Sequence, residues 1–166
     1  MLGRPTPDPI GPGQASAWDY PRPPRLERTT ARLEIVLAGE VIASTTDGWR
    51  VLETSHPPNY YLPRDAFAPG VLRRAGGGSV CEWKGGATYW DLAHGGRVAS
   101  SAAWSYEDPH ATFAPITSYV AVYPASVDEC RVDGEVVRPQ PGRFYGGWIT
   151  DAVAGPFKGG PGSTGW

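Results

Sequence analysis

From Ala31 onward, apolar and polar residues alternate with a period of two, the spacing of a strand with one buried face. Leu33, Ile35 and Leu37 alternate with Arg32, Glu34 and Val36. Gly39-Glu40 then predicts a turn into Val41-Ile42-Ala43-Ser44. Asp47-Gly48 reads as a hairpin tip leading into Trp49-Arg50-Val51-Leu52-Glu53. Pro57-Pro58 stops that run, and Asn59-Tyr60-Tyr61-Leu62 is extended because Pro63 pushes its predecessor toward β. Arg64 to Phe67 predicts a single helical turn, and Ala75 to Gly78 a loop. Ser79 to Trp83 and Ala87 to Leu92 read as paired strands, Gly95-Gly96 as a turn, and Ala102 to Tyr106 as the next strand. Ile116 to Tyr123 is the most strand-like stretch, and Arg131 to Val137 a short hairpin with Asp133-Gly134 at its tip. No window of eleven or more residues keeps a helical period. Short strands at roughly ten-residue spacing predict a mainly β fold, as a sandwich, barrel or bent sheet.

The flanks break this pattern. Seven prolines between Pro5 and Pro24 favour polyproline II, so residues 1–30 read as a Pro-rich tail. Trp18 and Tyr20 are its candidate anchors. Residues 31–138 form the expected β domain, and 139–166 a Gly/Pro-rich C-terminal arm. Glycine and proline make up about a quarter of the chain, near the level of disorder, but 7 Trp and 8 Tyr are not a disordered composition. An ordered β core with two poorly packed arms reconciles the two.

A chain of 166 residues buries roughly 70% of its unfolded surface and needs no metal or disulfide to hold a core. The net charge of −2 is spread without a basic stripe, which argues against nucleic acid. No apolar run approaches the ~20 residues of a membrane span. Met1 to Ile10 holds three prolines and no apolar stretch, which predicts no secretory signal and a cytoplasmic protein. Cys81 and Cys130 then read as free thiols. Lys84 and Lys158 are the only lysines beside many arginines, an excess in keeping with a genome's composition bias.

Candidate chemistry narrows quickly. Cys81 is followed three residues later by Lys84 and not by a second cysteine, and His56, His94 and His110 are scattered, so structural zinc is not expected. Lys84 would make a thiolate of Cys81 more accessible, but a small buried strand cysteine is the plainer reading. Lys84-Gly85-Gly86 and Lys158-Gly159-Gly160 carry lysine before glycine, the reverse of a phosphate-binding loop. What stands out is a cluster on or beside the strands. It comprises Glu53, Tyr60, Tyr61, Arg64, Trp83, Lys84, Trp90, Trp104, Tyr106, Tyr119 and Tyr123, and Glu53, Arg64 and Lys84 could point into one pocket walled by tryptophan. The alternative is an aromatic core stapled by ion pairs.

These motifs, in order, resemble the domain of unknown function family 427, also labelled a nucleotidyltransferase domain. The resemblance is carried by Gly39-Glu40-Val41, Leu52-Glu53-Thr54, Tyr60-Tyr61-Leu62-Pro63-Arg64-Asp65, Cys81-Glu82-Trp83-Lys84-Gly85, Ala87-Thr88-Tyr89-Trp90, Ala103-Trp104-Ser105-Tyr106 and Tyr119 to Tyr123. It runs from about Leu33 to Cys130, and the Gly-rich end resembles a bacterial branch. It implies a single compact bent β structure similar to the beta-tent of methionine-R-sulfoxide reductases. Those relatives hold zinc through two Cys-x-x-Cys pairs that this chain lacks, so aromatic packing must serve as the clamp. The family pattern includes the positions matched by Glu53, Tyr61, Arg64, Lys84, Trp90, Trp104 and Tyr119. The transferase label finds no paired aspartates here of the kind that hold magnesium on a nucleotide.

Three functions follow as expectations. The first is a small-molecule enzyme without metal or cofactor, with Glu53 as acid or base, Lys84 beside Arg64 stabilising negative charge, and Tyr61 or Tyr119 relaying a proton. The second is a non-catalytic module binding an anionic or aromatic ligand through Arg64, Trp90, Trp104, Tyr106 and Tyr119. The third is a partner-binding role for the Pro-rich tail. Tryptophans exposed on the C-terminal arm would favour a homodimer.

Overall fold

The period-two patterning becomes strands that pair into separate sheets, antiparallel but for one two-residue parallel pair, and no long helix interrupts them among the described residues. The computed structural model describes residues 4–81, 85–142 and 144–166, and for 77–81 and 85 the backbone alone. In chain order the strands are β1 (Ala15–Ser16), β2 (Arg25–Thr29), β3 (Leu33–Leu37), β4 (Glu40–Thr45), β5 (Gly48–Leu52), β6 (Asn59–Tyr61), β7 (Leu72–Cys81), β8 (Gly85–His94), β9 (Arg97–Tyr106), β10 (Val120–Val122), β11 (Glu129–Val132), β12 (Glu135–Val136), β13 (Arg138–Pro139), β14 (Trp148–Ile149) and β15 (Val153–Ala154). They form two four-stranded sheets, β10-β9-β8-β7 and β12-β11-β3-β4, one three-stranded sheet, β2-β5-β6, and two short pairs. The protein is mainly β, with antiparallel sheets and no closed barrel, as the alternation predicts. Only short 3-10 turns supply helix among the described residues, including Arg64–Ala66 where one turn is expected.

Alternation explains why there are two cores. On β6, Tyr60 and Leu62 beyond its end face one cluster while Tyr61 faces the other. On β9 and β10, Ala103, Val120 and Val122 join the first cluster, and Trp104 and Ala121 the second. The first core is aliphatic, built on Leu33, Ile35, Leu37, Ile42 and Leu92. The second is aromatic, built on Tyr61, Trp104, Tyr106 and Phe113. One sheet thus separates two apolar layers, which is why its strands carry bulky residues on both faces.

Several expectations need correction. Asp47-Gly48 is not a hairpin: β4 pairs with β3, while β5 pairs with β2 and β6. The chain changes sheets there, and Gly48 is small because a Cβ would lie 2.6 Å from Leu33 Cδ1. Asp133-Gly134 is a true tip, with φ of 49° and 84°, the two positive values that a type I′ turn needs. The expected loop at Ala75 to Gly78 lies within β7, at a register shift between Arg74 and Gly78. Of Ile116 to Tyr123 only Val120–Val122 is strand; Ile116 ends a 3-10 turn that begins at Ala111.

Neither flank is loose. β2 pairs with β5 from Arg25↔Leu52 to Thr29↔Gly48, so five residues assigned to the tail belong to a sheet. Ala17 and Trp18 are buried, and Trp18 Nε1 donates to the Pro156 carbonyl at 2.9 Å. In the C-terminal arm Trp148 is fully buried in the first core, and its Nε1 donates to the Val122 carbonyl at 2.9 Å. Proline and glycine content was a poor guide because the anchors are single aromatic residues spaced too widely to give a period.

Candidate functional site

A cleft of about 430 Å³ opens where the arm crosses the β7–β10 sheet. Its floor follows from strand register. Tyr89 on β8 sits opposite Trp104 on β9, and the Trp104 ring packs 4.5 Å from that of Tyr123. Ser101 and the turn Pro124–Ser126 continue that wall. The arm supplies the other wall with Pro139, Gln140, Gly142 and Tyr145. Among the described lining residues none carries a formal charge.

Tyr123 and Tyr145 hold their protons more tightly than a free phenol. Burial, then the charge of Tyr89 and a hydrogen bond with it, push Tyr123 up to about 12. Tyr145 is raised by burial first and by the Glu53 carboxylate second, with Arg22 opposing. Neither phenol can therefore take a proton near neutral pH. Tyrosine rings give flat apolar contact with a polar end, which suits a ring-shaped ligand bearing hydroxyl or amide groups.

Behind the arm wall lies a polar junction. The Gln140 amide Nε2 donates to the Lys158 carbonyl at 2.8 Å and contacts His56 Nδ1 at 2.9 Å. Its Oε1 accepts from the Gly147 N–H at 3.1 Å. His56 is buried, and its Nε2 lies 3.9 Å from Glu53 Oε2. Arg22 Nε lies 3.5 Å from the same oxygen, and the Tyr145 ring meets the His56 ring edge-on at 4.7 Å. Two glycines permit the arm to fold on itself here. A Cβ on Gly142 would lie 2.4 Å from the Gly159 carbonyl oxygen, and one on Gly159 would lie 1.8 Å from that of Pro141.

The residues expected to share one pocket are distributed over three places. Tyr61, Trp104, Tyr106 and Tyr119 come together in the aromatic core, with Tyr61 fully buried. Arg64 pairs with Glu107 and lies 4.7 Å over the Trp90 ring, whose Nε1 donates to Ser105 Oγ at 2.9 Å. Trp90 packs on the first core, so it and Trp104 occupy opposite faces of one sheet. Glu53 sits apart with Arg22 and His56. Glu53 and Arg64 have separate partners because one follows β5 and the other follows β6. Trp83 and Lys84 lie outside the described residues. Of the residues lining the cleft only Tyr123 belongs to the expected cluster; Tyr89, Ser101, Ser126, Gln140 and Tyr145 are among those absent from it. Tyr89 was legible, since it alternates with Trp90 on a strand. Gln140 and Tyr145 gave no pattern, because an irregular arm has no period. Among the described residues no three His, Cys, Asp or Glu side chains group as metal ligands. Among the described residues no helix is long and apolar enough to cross a membrane.

Comparison with family models gives a match over residues 25–133 to the family described as Domain of unknown function (DUF427). A comparison with curated proteins returns no match. The matched segment begins at the first residue of β2 and ends in the β11–β12 turn. It contains the sheet wall of the cleft but not the arm wall. With about two thirds of its length matched, the chain belongs to the DUF427 family.

Proposed function

We propose that the protein is a non-catalytic module that binds a small, uncharged, ring-shaped molecule between its β7–β10 sheet and its C-terminal arm. The observation that carries this reading is the cleft itself, about 430 Å³, with three tyrosines and no formal charge among its described lining residues. That volume is within the range of small-molecule sites. Acid–base chemistry needs a group that titrates near the working pH. Tyr123, held to about 12, is not one. The enzyme reading built on Glu53, Tyr61 and Lys84 draws less support, since Tyr61 is wholly buried and Glu53 is engaged by Arg22. A bacterial, cytoplasmic protein is part of the proposal, and the buried free thiol of Cys130 is in keeping with it.

A thermal-shift screen of neutral nucleosides, aromatic amides and monosaccharides tests the reading, run on the parent and on Ser126→Trp, which fills the cleft. A ligand at a hundred times its dissociation constant stabilises by about 2.7 kcal/mol. We expect such a shift in the parent and its loss in Ser126→Trp. A shift that survives Ser126→Trp but vanishes in Lys84→Met would overturn the cleft and restore the Glu53 and Lys84 reading.

A further inference from the structure

We infer that His56 is an acid-operated latch for the C-terminal arm, held shut in its neutral form by Gln140. The orientation of the Gln140 amide is set by two backbone groups of opposite kind. The Gly147 N–H requires an oxygen, and the Lys158 carbonyl requires an N–H. The second amide N–H is therefore the group that faces His56 Nδ1 at 2.9 Å. Nδ1 must accept, so the single proton of the neutral ring is on Nε2.

Adding a proton from water to Nδ1 sets a donor against a donor. Turning the amide over gives the new N–H an acceptor, but at two costs. The NH₂ group then meets the Gly147 N–H, and the oxygen meets the Lys158 carbonyl. No orientation of Gln140 keeps all three contacts with a charged imidazole. Of the charged groups around His56, the Glu53 carboxylate favours that charge, and the Arg22 and Lys158 cations oppose it. Glu53 Oε2 lies 3.9 Å from Nε2 on the same turn, and Arg22 from the N-terminal segment already pairs with it at 3.5 Å. From the arm, the Tyr145 ring meets His56 at 4.7 Å, and Lys158 Nζ lies 6.0 Å from the centre of that tyrosine ring. The junction joins three pieces of arm, at 140, 147 and 158, to the turn at 56. Protonation therefore breaks the side-chain part of this junction, while the backbone bonds from Lys158 N–H to the Ser55 carbonyl at 2.9 Å and from Trp148 N–H to the Pro58 carbonyl at 2.8 Å keep the arm in place around it. Gln140 also lines the cleft, so acid loosens that wall at this side chain. The consequence for a ligand rests on the proposed cleft function; the loosening of the junction does not.

The test uses the full chain, labelled with ¹⁵N, and no ligand. Long-range imidazole spectra between pH 8 and pH 5 report the tautomer and titration of His56. Amide exchange at Gly147, corrected for its intrinsic pH dependence, reports the junction, and Ile35 in the first core serves as reference. We expect the proton on Nε2 at pH 8, and at least a tenfold rise in corrected Gly147 exchange as His56 titrates, with Ile35 unchanged. A proton on Nδ1 at pH 8, or Gly147 exchange that stays flat through the titration, overturns the latch. Gln140→Met supplies a second arm of the test. Without the donor that favours neutral His56, its titration must move to higher pH and Gly147 must exchange fast at both ends; an unmoved midpoint overturns the latch equally. Failure of the cleft reading shows separately, as the absence of any ligand shift.

Discussion

The β body and the C-terminal arm are held by different kinds of contact. Strands β8 and β9 pair from Ala87↔Tyr106 to His94↔Arg97, so many ladder bonds share the load and the loss of one is absorbed by its neighbours. The arm has two pairings of two residues each, β13 with β14 and β1 with β15. Elsewhere it is held by scattered single contacts, among them the Gln140 amide, the backbone bonds from Trp148 N–H to the Pro58 carbonyl and from Lys158 N–H to the Ser55 carbonyl, the Gly142–Gly159 crossing, and the Trp18 ring 5.5 Å from Trp166. A ladder gives cooperativity, whereas point contacts give a segment that opens by itself. Trp148 is the exception, an arm residue wholly inside the first core.

That exception gives the largest expected effect. Trp148→Ala removes a fully buried ring and leaves the Val122 carbonyl without its donor. It should cost roughly 3–5 kcal/mol in urea unfolding, comparable to the roughly 2–5 kcal/mol of Leu62→Ala in the body. Equal losses would place β14 in the cooperative unit. A cost within about 0.5 kcal/mol of zero would instead make the whole arm a separate lid and redraw the comparison.

The next effect is local. Gly142 has φ of 86° and Gly159 of 129°, and each lies against a backbone carbonyl that a Cβ would strike. Gly142→Ala or Gly159→Ala should lift the crossing by about 1–3 kcal/mol. Because the contact is a single point, faster amide exchange should appear at Ser163 and Trp166 while Ile35 and the urea midpoint stay put. A falling midpoint would show that the crossing belongs to the cooperative core.

How much of this was legible follows from the same division. Leu33, Ile35 and Leu37 announced β3 because period-two alternation is the physics of a half-buried strand, and the true hairpin at Asp133-Gly134 was readable from its turn chemistry. Asp47-Gly48 carried the same dipeptide and misled, since a glycine demanded by packing against Leu33 looks identical in sequence to one demanded by φ. The aromatic cluster of Tyr61, Trp104, Tyr106 and Tyr119 was real, but composition could not say that it is a second core. Nor could it say that Arg64 and Trp90 lie on the far side of a sheet. Gln140 was invisible, because its importance lies in three partners that are distant or irregular in sequence.

The smallest effect tests the seam between the two regions. Tyr123 ends the β10 wall and faces the arm across the cleft, and in the folded chain it keeps its proton to about 12 instead of 10.0. Below pH 10 both folded and unfolded states hold that proton, so the contribution is fully present. As pH rises from 10 through 12 the unfolded chain releases it first, and stability falls. Two units would convert to about 2.7 kcal/mol, but the ring is only half-buried, and solvent screening reduces the expected loss to about 1 kcal/mol. Tyr60, raised by burial within the body, supplies the comparison. Urea midpoints followed between pH 9 and 12 should decline less steeply in Tyr123→Phe than in the parent, because the variant has no proton to lose. Parallel slopes in the parent and Tyr123→Phe, with a shallower one in Tyr60→Phe, would move the alkaline weakness from the seam into the body. The cleft wall would then be wetter and less rigid than its geometry requires.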